Sequence, residues 1–228
     1  MIKIKRTILF GFVLLIGVFA NAQIIDKHGL RIGGGFSNQY WEYKNDMLSN
    51  LSGWKEDKLG LSIYLNAEKK LTNFLSVRPE IGYLQKGFKD DRVFITADGV
   101  EIVTKNTDVI LHNLSANIGL KISPFDFFIK PYLIAGIRGD YMIDYKDFEV
   151  EAQGVTHGIY KSVIDDFNKF TISGLIGIGF DYMDLLYLDI EYNPAITKNI
   201  DNTWLSIKDK YYGLIIGLNI NTLIKKNE

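Results

Sequence analysis

The chain has 228 residues, no cysteine, and 26 basic against 27 acidic side chains. That length suits one sizeable domain, the missing cysteines exclude a disulfide framework or thiolate metal site, and the near-zero charge without a basic stripe excludes nucleic acid as a partner. Almost half of the residues are apolar, yet beyond the N-terminus no run is long enough for a helical span.

The N-terminus is an export signal by composition. Lys3, Lys5 and Arg6 precede an apolar run from Ile8 to Phe19, and Ala20-Asn21-Ala22 supplies the small-x-small cleavage pattern. The run is shorter than the roughly 20 residues of a membrane anchor. Residues 1–22 therefore read as a signal peptide and 23–228 as one mature domain, in which 23 basic residues face 27 acidic ones.

The first predicted strand, Leu30 to Tyr40, places Leu30, Ile32, Phe36 and Tyr40 on one parity and Arg31, Gly33, Gly35, Ser37 and Gln39 on the other. A long polar loop from Lys44 to Lys58 follows, then a second strand to Lys69 and a tight turn over Lys70 to Asn73. The third strand alternates Leu75, Val77, Pro79, Ile81 and Tyr83 with Ser76, Arg78, Glu80 and Gly82. Pro79 predicts a local irregularity, because proline removes a ladder donor. Asp98-Gly99 is a two-residue hairpin signal; carried down both arms, it pairs Ile81 with Ala116 in the fourth strand. A short turn at Ser123 to Asp126 leads to a fifth strand from Ile129 to Ile143, and Phe148 to Asp166 forms another long loop.

The sixth and seventh strands are the clearest. Phe170, Ile172, Ile176, Ile178, Phe180 and Tyr182 alternate with Thr171, Ser173, Gly177, Gly179 and Asp181; after a turn at Met183-Asp184, Leu186, Leu188, Ile190 and Tyr192 alternate with Asp189, Glu191 and Asn193. A last loop, Thr197 to Lys208, precedes a strand that places Tyr212, Leu214, Ile216, Leu218 and Ile220 on one face.

Eight strands with connections alternately long and short predict an all-β, antiparallel up-and-down transmembrane barrel. Its polarity follows from volume. Four or five bulky side chains per strand overfill an eight-stranded interior, and a solvated face built from glycine is a poor strand face. The bulky side therefore meets lipid. Tyr40, Tyr83, Tyr141, Phe170, Tyr192 and Tyr212 share the bulky parity at the long-loop ends and predict an aromatic girdle. Arg31, Glu68, Arg78, Glu80, Lys121, Lys130, Arg138, Asp140, Asp181, Asp189 and Glu191 take the other parity. Five basic and six acidic groups nearly neutralise one another, which predicts an ion-pair network filling the lumen instead of an open pore.

His28, His112 and His157 are too scattered for a metal cluster, and no residue pattern calls for a cofactor or a catalytic nucleophile. Trp54, His157, Tyr160 and Trp204 in the long loops are the candidate contacts for an external partner.

The Ala-Asn-Ala-Gln23 signal end, Gly29-Leu-Arg-Ile-Gly-Gly-Gly-Phe36, Val77-Arg-Pro-Glu-Ile-Gly-Tyr83 and Pro131-Tyr-Leu-Ile-Ala-Gly136 together resemble the PorT-like outer-membrane β-barrel proteins of Gram-negative bacteria. The resemblance spans the mature chain and implies a location in the outer membrane, insertion by the barrel-assembly machinery, and contact with outer-membrane lipid. The expected role is structural, adhesive or secretion-accessory, exercised on a protein or glycan partner through the external loops. Two alternatives stand beside it. One is a membrane-embedded lipid-modifying enzyme, seeded by the outward His112. The other is an exported soluble barrel of lipocalin type.

Overall fold

The computed structural model describes residues 25–90, 102–152 and 155–225. The segment expected to be a signal peptide and the expected Asp98-Gly99 turn lie outside the described residues. Eight long strands make the wall: β1 (Lys27–Tyr43), β2 (Lys58–Lys70), β3 (Leu75–Lys89), β4 (Asp108–Ile122), β5 (Ile129–Lys146), β6 (Phe170–Tyr182), β7 (Leu186–Pro194) and β8 (Leu205–Asn219). Each pairs antiparallel with its sequence neighbour, and β8 returns to pair with β1, so the sheet is closed and has no wall edge. Carried round the ring, the registers return to β1 about ten residues along, a stagger that tilts eight strands by roughly 40°.

The register fixed by the sequence is the one observed. Ile81 lies opposite Ala116, and the same ladder runs unbroken from Leu75–Ile122 to Lys89–Asp108. Pro79 acts on the other flank of β3, where the β2–β3 ladder omits the positions between Asn66–Glu80 and Lys69–Val77. The missing N–H explains the gap. A further irregularity was not foreseen: β4 and β5 shift register at His112/Asn113.

The wall is inverted relative to a soluble barrel. Ile176 and Ile178 are 57% and 48% exposed on the outside, whereas Arg78 and Asp189 are 1% and 0% exposed on the inside. An apolar belt running around the whole wall is far larger than the few hundred Å² tolerated in water, so the lipocalin-type alternative is set aside. Glycine on the inward side has a specific reason. Tyr64, Tyr132 and Tyr187 lie directly across the ladder from Gly82, Gly179 and Gly217, and a Cβ on Gly217 would stand 2.0 Å from the Tyr187 ring. The glycines let inward tyrosine rings lie flat against the neighbouring strand.

At the end carrying both described termini the connections are short. The β6–β7 turn holds Met183 and Asp184 at φ 54 and 57, the left-handed pair of a hairpin turn, closed by Leu185 N–H donating to the Tyr182 carbonyl at 3.0 Å. At the far end the strands outrun the expected spans and the loops fold. The loop expected over Phe148 to Asp166 holds strands Glu149–Ala152 and Val155–Gly158, paired with Ile102–Asn106, and a helical turn at Lys161–Asp165. The loop expected over Lys44 to Lys58 contributes a short strand, Gly53–Trp54, beside β1.

Candidate functional site

The lumen is built in layers, because inward side chains from all eight strands meet at each level. At the short-turn end a vestibule of about 530 Å³ opens to solvent. Lys121 bridges Glu68 at 3.0 Å and Asp181 at 3.3 Å, and Lys27 reaches Asp181 at 3.2 Å and Asp184. Lys130 sits at this rim and not deep in the lumen, paired with Asp126 at 2.8 Å and Asp184 at 3.0 Å. Burial works to raise the Asp184 carboxyl, but the hydrogen bonds and charges of Lys27 and Lys130 outweigh it and hold the group at about 2.

The middle layer closes the lumen. Arg31 contacts Glu80, Asp189 and Glu191; Arg78 lies 2.9 Å from Glu80 and 3.1 Å from Asp189; Arg138 lies 3.2 Å from Glu191. All six side chains are almost completely buried. Neutral groups join the network: Tyr132 donates to Asp189, Asn117 donates to Glu80 at 2.9 Å, and Tyr187 donates to Asn66 at 2.8 Å. Three guanidiniums face three carboxylates, so this layer is balanced in charge. Isolated ions here would be prohibitive.

Above it Lys86 joins Asp140 at 2.8 Å to Asp209 at 2.6 Å, and Ser115 donates to Asp140. Lys27, Lys86 and Asp209 were not singled out from the sequence. Their inward parity was the available signal, obscured because they lie near strand ends.

Beyond that layer the inside of the barrel becomes apolar. Trp41, Phe88, Val109, Leu111, Leu205 and Ile207, on the inward parity of β1, β3, β4 and β8, pack with Phe148, Val150, Tyr160, Ile164 and Phe167 from the β5–β6 loop. The folded loops thus cap the lumen. Tyr160 is corrected here: it is not a free loop contact, since its ring meets Trp41, Phe88 and Phe148 edge-on and its hydroxyl donates to Asp90. Asp147 accepts N–H bonds from Phe148 and Tyr160 at the base of the cap; burial raises its carboxyl above the usual range despite them.

Trp54 is also placed differently, on the outer wall against Tyr40 at 5.2 Å between ring centres. His157 is exposed on Val155–Gly158, and Trp204 is 50% exposed in the β7–β8 loop. Tyr40, Tyr83, Tyr141, Phe170, Tyr192 and Tyr212 all face outward near the long-loop end; Tyr192 and Tyr212 stack at 4.8 Å, and Tyr141 pairs with Phe170 across the ladder. His112 faces outward too, hydrogen-bonded to the Tyr83 hydroxyl. His28 falls within β1 instead of a lead-in and is exposed. Among the described residues no cluster of His, Asp or Glu could hold a metal ion.

A closed ring of eight tilted strands, apolar outside and ionic inside, defines an outer-membrane β-barrel. The chain belongs to the family described as Outer membrane protein beta-barrel domain, whose profile matches residues 19–201, and its place is the bacterial outer membrane. No curated protein matches the sequence. Similar solved structures include the attachment invasion locus protein Ail of Yersinia pestis, at 11% identity over 85% of this chain and 99% of that one, with a TM-score of 0.40. Others are Neisserial surface protein A, at 15% identity over 83% and 96% with a TM-score of 0.39, and the N-terminal barrel domain of Pseudomonas aeruginosa OprF, at 8% identity over 83% and 96% with a TM-score of 0.35.

Proposed function

We propose that the protein is a closed, non-catalytic barrel that acts through its folded extracellular cap, in a structural, adhesive or secretion-accessory role toward a protein or glycan partner. The observation that carries this reading is the pair of barriers in series along the axis. An interlocked ionic layer lies beneath an apolar cap, so among the described residues two barriers cross the lumen, whereas the cap displays Val155 and its strand to solvent. The PorT-like motifs, the predicted signal peptide over residues 1–22 and insertion by the barrel-assembly machinery belong to the same reading.

The lipid-modifying alternative draws on His112, which faces lipid with Asp144 opposite it in the ladder. Its hydrogen-bond partner is the Tyr83 phenol and not a serine or threonine hydroxyl. Envelope lipid composition should therefore be unchanged by His112→Ala.

Planar-bilayer recording tests closure directly: the purified barrel should give no steady conductance, and a large stable one overturns the proposal. Deleting Glu149–Gly158 tests the cap. The shortened chain should still insert, with heat-modifiable gel mobility, while surface attachment or cargo secretion by the cells falls to the level of a null strain; full retention of both sinks the assignment to the cap.

A further inference from the structure

Two cations stand on the outward face at the level of the aromatic girdle. Lys208 and Lys210 lie on the outward parity of β8, continuous with Tyr212, Leu214 and Ile216. Lumen lysines such as Lys86 and Lys121 each bridge two carboxylates. Among the described residues neither Lys208 nor Lys210 has a carboxylate within 4.0 Å, and Asp209 between them turns inward to Lys86.

Aromatic rings hold both ammonium groups. Lys210 Nζ is 3.9 Å from the centre of the Trp54 ring and 5.6 Å from that of Tyr212; Lys208 Nζ is 5.5 Å from that of Tyr40. Tyr40 is also the ladder partner of Lys208, so the lysines stand within the girdle and not above it. Girdle aromatics sit at the headgroup level of a bilayer. Cation–π contact fixes the position of an ammonium without neutralising it. Residues two apart on one strand lie about 6.8 Å from each other on the same face, and flexible lysine stems can close that gap onto a single tetrahedral anion. A lysine at the interface is tolerated where one at the midplane is not, and a phosphate at that depth supplies the missing countercharge.

We propose that Lys208 and Lys210, floored by Trp54 and Tyr40, bind the phosphate of a phosphorylated lipid in the surrounding leaflet. The inference rests on the lipid-facing wall and is independent of the role assigned to the cap.

The test uses the full barrel in maltoside detergent micelles, which carry no phosphate, doped with diphosphorylated lipid A or with its dephosphorylated form, and read by native mass spectrometry. The wild type should retain the phosphorylated lipid and not the dephosphorylated one. A Lys208→Gln/Lys210→Gln variant should hold it about thirtyfold more weakly, given the attraction of each cation near a membrane surface. Lys146→Gln, an exposed lysine on β5, controls for removal of a lysine away from the girdle and should bind as the wild type does; gel mobility confirms that every variant is folded. Equal retention by the wild type and the double variant overturns the proposal, as does an equal loss in Lys146→Gln. Displacement by inorganic phosphate at matched concentration also overturns it, because it would mark a free-anion site and not a lipid site.

Discussion

Replacing Arg31 by Met probes whether the lumen is dry. The side chain is fully buried and contacts Glu80, Asp189 and Glu191. Methionine is also long and unbranched, so the change is chiefly one of charge. Arg78 still reaches Glu80 and Asp189, and Arg138 still reaches Glu191, but two cations then serve three anions. Leaving one buried carboxylate without its partner costs about 3–5 kcal/mol, whereas the same loss in a hydrated lumen costs about 0–1 kcal/mol. The two magnitudes separate cleanly in denaturant unfolding from lipid vesicles, followed by tryptophan fluorescence and gel mobility. Adding Glu191→Gln restores the balance, and the double variant should recover about 2 kcal/mol relative to the sum of the single changes. An Arg31→Met barrel that unfolds within about 0.5 kcal/mol of the wild type, with no coupling to Glu191→Gln, would refute the dry network.

Ile176→Arg places a charge on the lipid face between the two aromatic bands and should cost about 2–4 kcal/mol in the same assay; a neutral result would move the bilayer away from this belt. Gly217→Ala drives a methyl into the Tyr187 ring and should cost about 1–3 kcal/mol, while Gly34→Ala, whose nearest neighbour stands 3.6 Å away, should be close to neutral; equal effects would dismiss the glycine–tyrosine fit. Asp184→Asn reports the mouth of the barrel. A carboxyl held at about 2 in the folded state contributes stability above its unfolded pKa near 4 and loses it as pH falls from about 4 to 2. With its side chain 34% exposed, the contribution at pH 7 is about 1 kcal/mol after screening. The variant should therefore be less stable by that amount at neutral pH and match the wild type at pH 2. A difference that persists unchanged at pH 2 contradicts the assignment.

The wall was legible because a period of two survives in every strand and because one turn, carried through a ladder, fixes a register: Ile81 meets Ala116 as the Asp98-Gly99 signal requires. The pairing of inward tyrosines with glycines was less so: the tight turn read over Lys70 to Asn73 would set Tyr64 opposite Pro79, whereas the wider connection observed sets it opposite Gly82. The cap was not. Phe148, Val150, Tyr160, Ile164 and Phe167 follow neither strand nor helix period over any useful length, and their partners come from distant strands. Tyr160 read as a loop contact because nothing nearby in sequence reveals that Trp41 and Phe88 enclose it.

The cap also explains why a single polarity rule could not cover the whole of each strand. The strands keep their alternation as they leave the bilayer, except β5, where the bulge at Ile143 turns Asp144 and Lys146 outward, but the medium outside them changes from hydrocarbon to water. Within the bilayer the inward positions carry Arg31, Arg78 and Arg138 with their carboxylates, and the outward ones carry Ile, Leu and Phe. Past the girdle the inward positions of the same strands become Trp41, Phe88, Val109 and Leu111, while the outward ones become Glu42, Lys89, Asp144 and Lys146. Hydrophobic burial demands this reversal, since apolar groups that faced outward there would meet water. The barrel is therefore an inverted protein below its aromatic ring and an ordinary one above it. The boundary lies where Lys86 bridges Asp140 and Asp209, the last ionic layer beneath the apolar core. The long-loop end thus has a hydrophobic core of its own, which lets loops as long as the β5–β6 connection hold a defined shape.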